Sequence, residues 1–369
     1  MRILHIITDT NIGGAGRLLL ATLKNMNYDK FEVFVAVPSE SMLLPFLSET
    51  RATVVETRSG RDKSFEIRAV SELCSIIKNV RPDVVHTHAS LSGRIAAYLS
   101  RVPSRIVTRH CAFDNPRKLT AFPLKQIYGA ISNILATQYI ATADIAREKL
   151  IETGVSPKKI TVIQNGSEQM RFLDENEKNE LLEKLGIPKS SFVVVISARL
   201  EVYKGHKYLF EAFSALSDID ARLVVVGEGS MKEELERLAS SLGINDRVIF
   251  TGFVDDVAPY YNIADVGVNC SFGAETTPLA ITEAMSVGVC NIVSDSGGNG
   301  DIITNGVDGL VVGQCDSGAI ADAIRTLYED RSLLNDMKSH ARLTYKARFS
   351  AKIMTEKLEE IYLMLGGKK

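Results

Sequence analysis

An apolar run followed by a segment with two basic residues occupies positions 192–205, which read FVVVISARLEVYKG. The continuous apolar run at 192–196 is typical of a parallel strand that is covered on both faces. A helical pattern follows the loop, and Arg199 and Lys204 lie between the two elements. Because open α/β sheets bind ligands at the carboxyl ends of their strands, this stretch predicts both the fold and one end of a site.

Similar apolar runs alternate with helical patterns along the whole chain. In the first half we predict strands at 2–8, 31–37, 52–56, 83–87, 104–109, 138–141 and 160–163. Amphipathic helices are predicted between them at 14–26, 64–80, 92–101 and 143–153. The strand pattern restarts at 192–196, 221–226, 248–250, 266–268 and 291–293. This alternation predicts an α/β protein with two doubly wound, Rossmann-like parallel sheets.

The predicted domain boundary lies near 167–173, where the turn sequence QNGS at 164–167 gives way to a polar helix-forming stretch. We therefore predict an N-terminal domain over 1–168 and a C-terminal domain over 169–349. A last helix is predicted at about 350–365 from its apolar residues Ile353, Leu358, Ile361 and Leu365.

The composition is that of a soluble globular protein, with 369 residues, 45% hydrophobic and 24% charged. No apolar run reaches the roughly 18 residues that a membrane-spanning helix needs. The first residues, MRILHII, lead straight into a strand without a signal-peptide cleavage pattern. Five cysteines lack metal or disulfide spacing, so we expect a cytoplasmic protein, with or without peripheral contact to the inner face of the cell membrane.

The two halves of the chain differ in charge. Lys and Arg outnumber Asp and Glu by 22 to 15 in residues 1–170, and are outnumbered by 30 to 21 in residues 171–369. Between 101 and 125, apolar residues are interleaved with Arg101, Arg105, Arg109, Arg117, Lys118 and Lys125, against the single acid Asp114. This pattern predicts contact with an anionic membrane or a lipid-linked acceptor, or a solvated basic face. It gives no sign of nucleic acid recognition beyond general charge.

Two glutamates are eight positions apart in residues 271–285, SFGAETTPLAITEAM. The Thr-Thr-Pro segment predicts a helix start, with a capping hydroxyl and a proline in the first turn. Glu275 would then lie on the entering loop and Glu283 about 12 Å further along. Such a gap suits two polar ends of an elongated ligand whose anionic middle lies at the helix N-terminus. The alternative is a surface helix with two solvated acids.

The two-glutamate pattern, followed by Ala-Met-x-x-Gly and preceded by Arg199-Leu200 and Lys204-Gly205, resembles the retaining glycosyltransferases of family 4. The resemblance implies the GT-B architecture, two facing Rossmann-like domains with an interdomain cleft and a terminal helix, 350–369, packing back on the N-terminal domain. It implies transfer of a hexose from a UDP- or GDP-linked sugar to a saccharide or lipid-linked acceptor, in polysaccharide or glycolipid synthesis. No metal cofactor is expected.

The resemblance also implies roles for individual residues. Arg199 and Lys204 would hold the diphosphate and Glu283 the ribose, while Val254 would contact the base. The sugar would be bound by Glu275 and by the backbone at Thr276, Thr277, Pro278 and Leu279. The glycine turn at Gly13 and Gly14 would face the donor phosphates, and His110 would lie near the transferred sugar. We expect the catalytic residues to be His110, Glu275, Arg199 and Lys204.

Several motifs in the sequence are incomplete or lack the partners that a dinucleotide site or a metal site would need. The turn at Gly14 is not a full Gly-x-Gly-x-x-Gly fingerprint, because Leu19 occupies the last position. His86 and His88 share a strand face, yet no third metal ligand is apparent, so we interpret them as core or loop histidines. The Asp-x-Asp at 218–220 lies in a polar turn and is interpreted as surface acids. The glycine-rich tract 296–306 is expected to support the site by packing.

Other functions fit the same features. An epimerase or a phosphorylase would use the same fold, and incubation with donor alone would reveal an epimerase by its isomerised sugar. A non-catalytic nucleotide-binding subunit is also possible, although the presence of both cations and both glutamates argues against it. The sequence leaves open which sugar is transferred, which nucleotide carries it and what accepts it.

Overall fold

The computed structural model describes residues 1–273 and 275–366. The chain divides into two compact units, of which unit 1 comprises Met1–Gly166 and Ala351–Lys369, and unit 2 comprises Ser167–Ser350. Within the described residues, unit 1 contains a seven-stranded parallel sheet and unit 2 a six-stranded one. The prediction of two Rossmann-like parallel-sheet domains is confirmed.

Unit 1 alternates strands and helices. Its strands are β1 (Arg2–Ile7), β2 (Glu32–Pro38), β3 (Thr53–Thr57), β4 (Val84–His88), β5 (Ser104–Arg109), β6 (Gln138–Ala141) and β7 (Ile160–Val162). Its helices are α1 (Gly14–Asn25), α2 (Leu44–Leu47), α3 (Ile67–Val80), α4 (Leu91–Leu99), α5 (Arg117–Thr120), α6 (Leu124–Leu135), α7 (Asp144–Glu152) and, from the chain's end, α16 (Ala351–Gly366). The strand order is β3-β2-β1-β4-β5-β6-β7.

Helix α16 is part of the core of unit 1. Its residues Leu358 and Tyr362 are buried in one apolar cluster with Leu18 and Leu19 of α1 and with Phe31. The sheet beneath this layer is apolar on both faces because helices cover both of its sides, as is usual for all-parallel sheets.

Unit 2 repeats the arrangement. Its strands are β8 (Phe192–Ser197), β9 (Ala221–Val226), β10 (Val248–Gly252), β11 (Val266–Asn269), β12 (Cys290–Ser294) and β13 (Gly309–Val312). Its helices are α8 (Glu175–Lys184), α9 (His206–Ser214), α10 (Lys232–Ser241), α11 (Ala258–Asn262), α12 (Leu279–Ser286), α13 (Asn299–Ile302), α14 (Ser317–Glu329) and α15 (Arg331–Thr344). The strand order is β10-β9-β8-β11-β12-β13.

The order of strands in unit 2 places its chemistry at one edge. Successive strands are added on one side of β8 up to β10 and on its other side from β11 onwards. The strand order therefore reverses between β8 and β11, which are neighbours in space but far apart in sequence. All pairings are parallel, so the loops that follow the strands meet at the carboxyl edge. The loop after β8 carries Arg199 and Lys204, and the loop after β11 carries Glu275. A switch point of this kind is where open α/β sheets bind ligands.

Several elements differ from the sequence predictions, which did not include the short helices α2 and α5 or the strand β13. The helix carrying Glu283 begins at Leu279, with Pro278 as the residue before it, so the Thr-Thr-Pro segment precedes the helix instead of forming its first turn. Helix α6 was not predicted at all. Among the described residues, none of the helices combines the length and apolar character that crossing a bilayer demands.

Candidate active site

The loop after β8 holds both predicted cations. A short 3-10 turn at Val202–Lys204 leads from the strand into α9, and Gly205 between them has a φ of +72°. A Cβ atom on Gly205 would lie 2.0 Å from the carbonyl oxygen of Cys270, so only glycine fits this close approach. Since Cys270 directly follows β11, the contact fixes Lys204 beside the loop that carries Glu275.

Lys204 and Glu275 form an ion pair. Their side chains are only 16% and 14% exposed, so the charges attract each other more strongly than a solvated pair would. The loop of Glu275 is itself clamped, because Gly298 donates its N–H to the Glu275 carbonyl at 3.1 Å. A Cβ on Gly297 would lie 2.2 Å from the same oxygen. The glycine-rich tract at 296–306 thus supports the site by packing, as the sequence predicted.

Tyr203 belongs to this group, although sequence reasoning missed it. Its hydroxyl accepts a hydrogen bond from Nη2 of Arg199 at 2.5 Å. The Nζ atom of Lys204 lies 5.3 Å from the centre of its ring, a distance at which an aromatic face attracts a cation. Tyr203 therefore lies between the two cations, and the signal in the sequence was an aromatic residue placed between them.

Glu283 lies closer to the start of its helix than predicted. It is the fifth residue of α12, about 6 Å along the axis from Leu279 at 1.5 Å per residue. The expected position of Glu283 two turns into the helix is therefore wrong, because residues 275–278 are not helical and the helix begins at Leu279.

The carboxylate of Glu283 lies near two buried phenols. Burial first, and then the charge of Glu283, raise the pKa of Tyr261. Burial, and then the carboxylates of Glu168 and Glu283, raise the pKa of Tyr345 to about 12. Both phenols are therefore neutral at physiological pH, and Glu283 itself is half-buried.

The loops after β9 and β10 complete the edge of unit 2. The N–H of Gly227 donates to the carbonyl of Gly252 at 2.9 Å, and a Cβ on Gly227 would lie 2.1 Å from the Ala198 carbonyl oxygen. Val254 follows Gly252 and is half-buried, beside an exposed Phe253. Close backbone packing therefore brings the predicted base-binding turn next to the loop after β8.

In unit 1, the predicted glycine turn leads directly into α1. Gly13 is the N-cap and Gly14 the first helical residue. The preceding loop is held by Asp62, which accepts hydrogen bonds from the N–H of Thr10 at 2.8 Å and from its hydroxyl at 2.5 Å. A Cβ on Gly13 or Gly14 would meet nothing within 4 Å. The space above both glycines is therefore open.

His110 follows β5 and joins a row of histidines. Its Nε2 is 2.9 Å from Nδ1 of His88, and Nε2 of His88 is 3.1 Å from Nδ1 of His5. His86 is hydrogen-bonded through Nδ1 to the hydroxyl of Tyr362 at 2.7 Å. His86 and His88 are core histidines, as predicted, but the expectation that no third potential metal ligand accompanies them is wrong, because β1 and β4 pair His5 with His86.

Burial keeps these histidines uncharged. It lowers the pKa of His5 to about 3 and that of His110 to about 4. The pKa values of His86 and His88 are also well below the usual value, because of burial and then neighbouring histidines. At neutral pH each ring therefore carries one proton, with one donor and one acceptor nitrogen.

Ligand nitrogens of His5, His86 and His88 lie within 4.8 Å of one another, close enough to be considered for a metal ion. The rings of His5 and His88, however, are nearly parallel at 16°, with centroids 5.4 Å apart and facing nitrogens 3.1 Å apart. This is an end-to-end hydrogen bond between coplanar rings. A tetrahedral zinc ion needs its ligand nitrogens to point at the metal from different directions, whereas these two nitrogens point at each other. The geometry therefore favours hydrogen bonding.

The Asp-x-Asp segment is occupied by surface contacts. Asp218 accepts hydrogen bonds from Arg325 at 2.7 and 2.8 Å, and Asp220 pairs with Arg222 at 2.8 Å. Both aspartates are exposed to solvent. Their interpretation as surface acids is confirmed.

Comparison with known proteins agrees with this geometry. Residues 177–344 match the family described as glycosyl transferases group 1, and residues 12–168 match glycosyltransferase family 4. The chain is 30% identical to EpsD of Bacillus subtilis, covering 90% of this chain and 89% of that protein. It is 28% identical to the UDP-Gal:alpha-D-GlcNAc-diphosphoundecaprenol alpha-1,3-galactosyltransferase of Escherichia coli, covering 98% and 97%.

Solved structures share the fold over the whole chain. A glycosyltransferase from Rickettsia africae has a TM-score of 0.86 at 21% identity, covering 100% of this chain and 99% of that one. HepE of Anabaena, solved in complex with UDP and glucose, has a TM-score of 0.81 at 21% identity, covering 98% of each chain. With its two parallel-sheet units and its matches along nearly its full length, the chain belongs to family 4 of the glycosyltransferases and has the GT-B fold.

Proposed function

We propose that this glycosyltransferase moves a hexose from a UDP-linked sugar to a hydroxyl of a saccharide or lipid-linked acceptor, with retention of the anomeric configuration. The Lys204–Glu275 pair at the switch point of unit 2 carries the proposal. The name of the E. coli relative, with its UDP-galactose donor and lipid diphosphate acceptor, supports it. So does the UDP bound to the structurally similar HepE.

In the proposed complex the donor diphosphate lies against Arg199 and Lys204 and near the N-terminus of α12. Fixed positive charge and helix N–H groups stabilise the leaving diphosphate as negative charge develops on it. The diphosphate replaces Glu275 as the counter-ion of Lys204, which leaves the Glu275 carboxylate to accept hydrogen bonds from the sugar. Because cations of the protein neutralise the diphosphate, we propose that transfer needs no metal ion.

The donor can be identified by thermal shift with UDP- and GDP-linked hexoses, followed by transfer assays with soluble and lipid-linked acceptors. We expect UDP-sugars to stabilise the protein and chelators to leave transfer unchanged. The anomeric configuration of the product, measured by NMR, tests retention. An isomerised sugar from donor alone would favour the epimerase alternative, and absence of any nucleotide effect would contradict the proposal.

Replacing Gly14 with alanine tests whether the open glycine turn faces a substrate. The protein itself leaves room for the added methyl group, and alanine favours the helix, so thermal stability should not fall. We expect transfer to drop about fivefold, because the methyl group occupies space that the ligand approaches. The control is Gly318→Ala, since Gly318 is the second residue of α14 and also has room for a Cβ. Equal activity of both variants would contradict a role for the turn.

Helix α6 presents an apolar face to solvent. It packs inward through small residues, with Gly129 so close to Gly154 that a Cβ would lie 2.5 Å from its carbonyl oxygen. Apart from the buried Leu135, its large aliphatic residues are between 43% and 53% exposed and follow one face of the helix: Leu124, Ile127, Ile131 and Ile134. Phe122, just before the helix, is 83% exposed. An exposed stripe of this kind marks an interaction surface.

Basic residues adjoin this stripe. Arg117 and Lys118 are exposed and Lys125 is half-buried. Of the six basic residues between 101 and 125, Arg105 and Arg109 are directed inward instead, since both donate to backbone carbonyl groups. An apolar face bordered by Lys and Arg is complementary to an anionic membrane surface. We therefore propose that α6 rests on the membrane and brings the enzyme to a lipid-linked acceptor.

The variant Ile127→Ser/Ile131→Ser tests this surface. We expect its binding to vesicles of mixed phosphatidylglycerol and phosphatidylcholine to fall about tenfold, because two partly exposed isoleucines no longer enter the interface. Activity on a water-soluble acceptor should be unchanged. The control is Ile67→Ser, an exposed isoleucine at the start of α3. Vesicle binding that equals that of the control in co-sedimentation would refute the membrane proposal.

A further inference from the structure

The loop that carries Glu275 is tied to the loop after β12 by a buried serine. Strands β11 and β12 are parallel neighbours, so the loops that follow them lie side by side at the carboxyl edge of unit 2. The hydroxyl of Ser296 accepts the N–H of Gly273 at 2.8 Å and donates to the carbonyl of the same residue at 3.3 Å. Because Ser296 is only 1% exposed, little water competes for these hydrogen bonds.

This contact belongs to a regular series between the two loops. The Ser294 hydroxyl donates to the Ser271 carbonyl, and the N–H of Gly298 donates to the Glu275 carbonyl at 3.1 Å. Position 271 is thus linked to 294, 273 to 296 and 275 to 298. The partners advance by two residues on each side, the period of a β-strand. The two serine hydroxyls therefore continue the pairing of β11 and β12 beyond the ends of the strands.

The opposite side of the same loop is tied to the loop after β8. The N–H of Phe272 donates to the Tyr203 carbonyl at 2.8 Å, and the carboxylate of Glu275 pairs with Lys204. In the proposed donor complex the diphosphate takes Lys204 from Glu275, so this ion pair no longer holds the carboxylate. The hydrogen bonds from the loop after β12 are independent of Lys204 and remain.

We propose that Ser296 is a positioning residue for the transferred sugar. Its hydroxyl keeps the loop of Glu275 in place once the diphosphate has replaced the ion pair, so that the carboxylate meets the sugar hydroxyls in a fixed position. The inference rests on the proposed glycosyl transfer. It adds to that proposal a buried side chain that acts through Glu275 instead of touching the substrate.

The variant Ser296→Ala tests this role by separating the sugar from the nucleotide. We expect kcat/KM for the UDP-hexose that the wild type transfers to fall about tenfold, the range of one or two hydrogen bonds. UDP alone, titrated by calorimetry, should bind as tightly as it does to the wild type, because Arg199, Lys204 and Glu283 hold the nucleotide in the proposed complex. A disturbed fold would weaken both. Equal losses in UDP affinity and in kcat/KM, or an unchanged kcat/KM, would overturn the inference.

Ser191→Ala is the matched control. Ser191 is also a buried serine of unit 2, and its hydroxyl donates to the carboxylate of Asp220 at 3.0 Å. It lies just before β8, at the opposite edge of the sheet from the site. Losing this hydrogen bond lowers stability, but we expect wild-type kcat/KM. If both variants lose the same activity, Ser296 has only a structural role.

A double-mutant cycle tests whether Ser296 acts through Glu275. In a Glu275→Ala background, which has no carboxylate to position, Ser296→Ala should lower kcat/KM by less than about twofold. The full tenfold loss in that background would mean that the serine acts by another route, and the inference would be wrong.

Amide hydrogen exchange, followed by NMR, tests the contact without any assay of transfer. We expect the amide proton of Gly273 to exchange about tenfold faster in Ser296→Ala than in the wild type, and at the wild-type rate in Ser191→Ala. The same exchange rate in all three proteins would overturn the inference. If the wild type neither binds UDP nor transfers sugar, the proposed function fails instead, and the exchange rate still decides whether Ser296 fixes the loop.

Discussion

Replacing Lys204 with alanine is expected to lower the kcat for sugar transfer by about 10²–10³-fold, the cost of losing one fixed group that stabilises developing charge. The ammonium group is held in place by the Tyr203 ring and by Glu275, and its side chain is only 16% exposed. Because few water molecules can replace it, the departing diphosphate loses a stabilising charge at a site of low polarity. The rate is measured with saturating donor, so that weaker binding does not contribute.

Lys207→Ala is the matched control for this change. Lys207 lies three residues further along, on α9, with 64% of its side chain exposed and its Nζ 3.7 Å from Glu211. Exposed pairs contribute little to stability, and we expect wild-type activity. If Lys204→Ala also retains wild-type turnover while binding UDP normally, the assignment of the diphosphate site is wrong.

All strands except β13 were predictable because a parallel sheet covered on both faces requires continuous apolar runs. Such runs at 33–37 and 192–196 are visible without any alignment. Helix α6 was missed for the opposite reason. Most of its large aliphatic residues face solvent, and two of its three buried residues are the small Gly129 and Ser132, so its pattern does not indicate an inward face. The start of α12 was misplaced because Pro278, expected within the first turn, immediately precedes it.

The sequence could not be used to predict which distant residues of the site are in contact. The residues of the Lys204–Glu275 pair are 71 positions apart and meet because β8 and β11 are neighbours. His5 and His88 are 83 positions apart and meet because of the register between β1 and β4. Sequence spacing shows which residues end each strand, but strand order and register decide which of those ends touch.

The same strand order links the expected roles of Glu275 and Lys204. The resemblance assigned Glu275 to the sugar and Lys204 to the diphosphate as separate functions. The two side chains neutralise each other in an ion pair, so we propose that donor binding exchanges one counter-ion of Lys204 for another. An enzyme arranged in this way keeps its ammonium group positioned before the donor arrives, which reduces the reorganisation needed during the reaction.

Glu283→Gln is expected to weaken UDP binding about thirtyfold, because a hydrogen bond to a charged carboxylate contributes more than one to a neutral amide. The fold should be unaffected. Burial and neighbouring carboxylates that include Glu283 raise the pKa values of Tyr261 and Tyr345, so both phenols are neutral at pH 7. Removing the charge of Glu283 therefore leaves neither tyrosine as a buried charge without a counter-ion.

Calorimetric titration with UDP at constant ionic strength measures the change, and Glu211→Gln on α9 is the control because Glu211 is also partly buried, at 33% exposure. The control should bind UDP like the wild type. Loss of affinity confined to Glu283→Gln, with thermal unfolding unchanged, would place the ribose beside α12. Identical dissociation constants for both variants would mean that the nucleotide does not reach Glu283. The donor would then bind in the reverse orientation or at another place along the sheet edge.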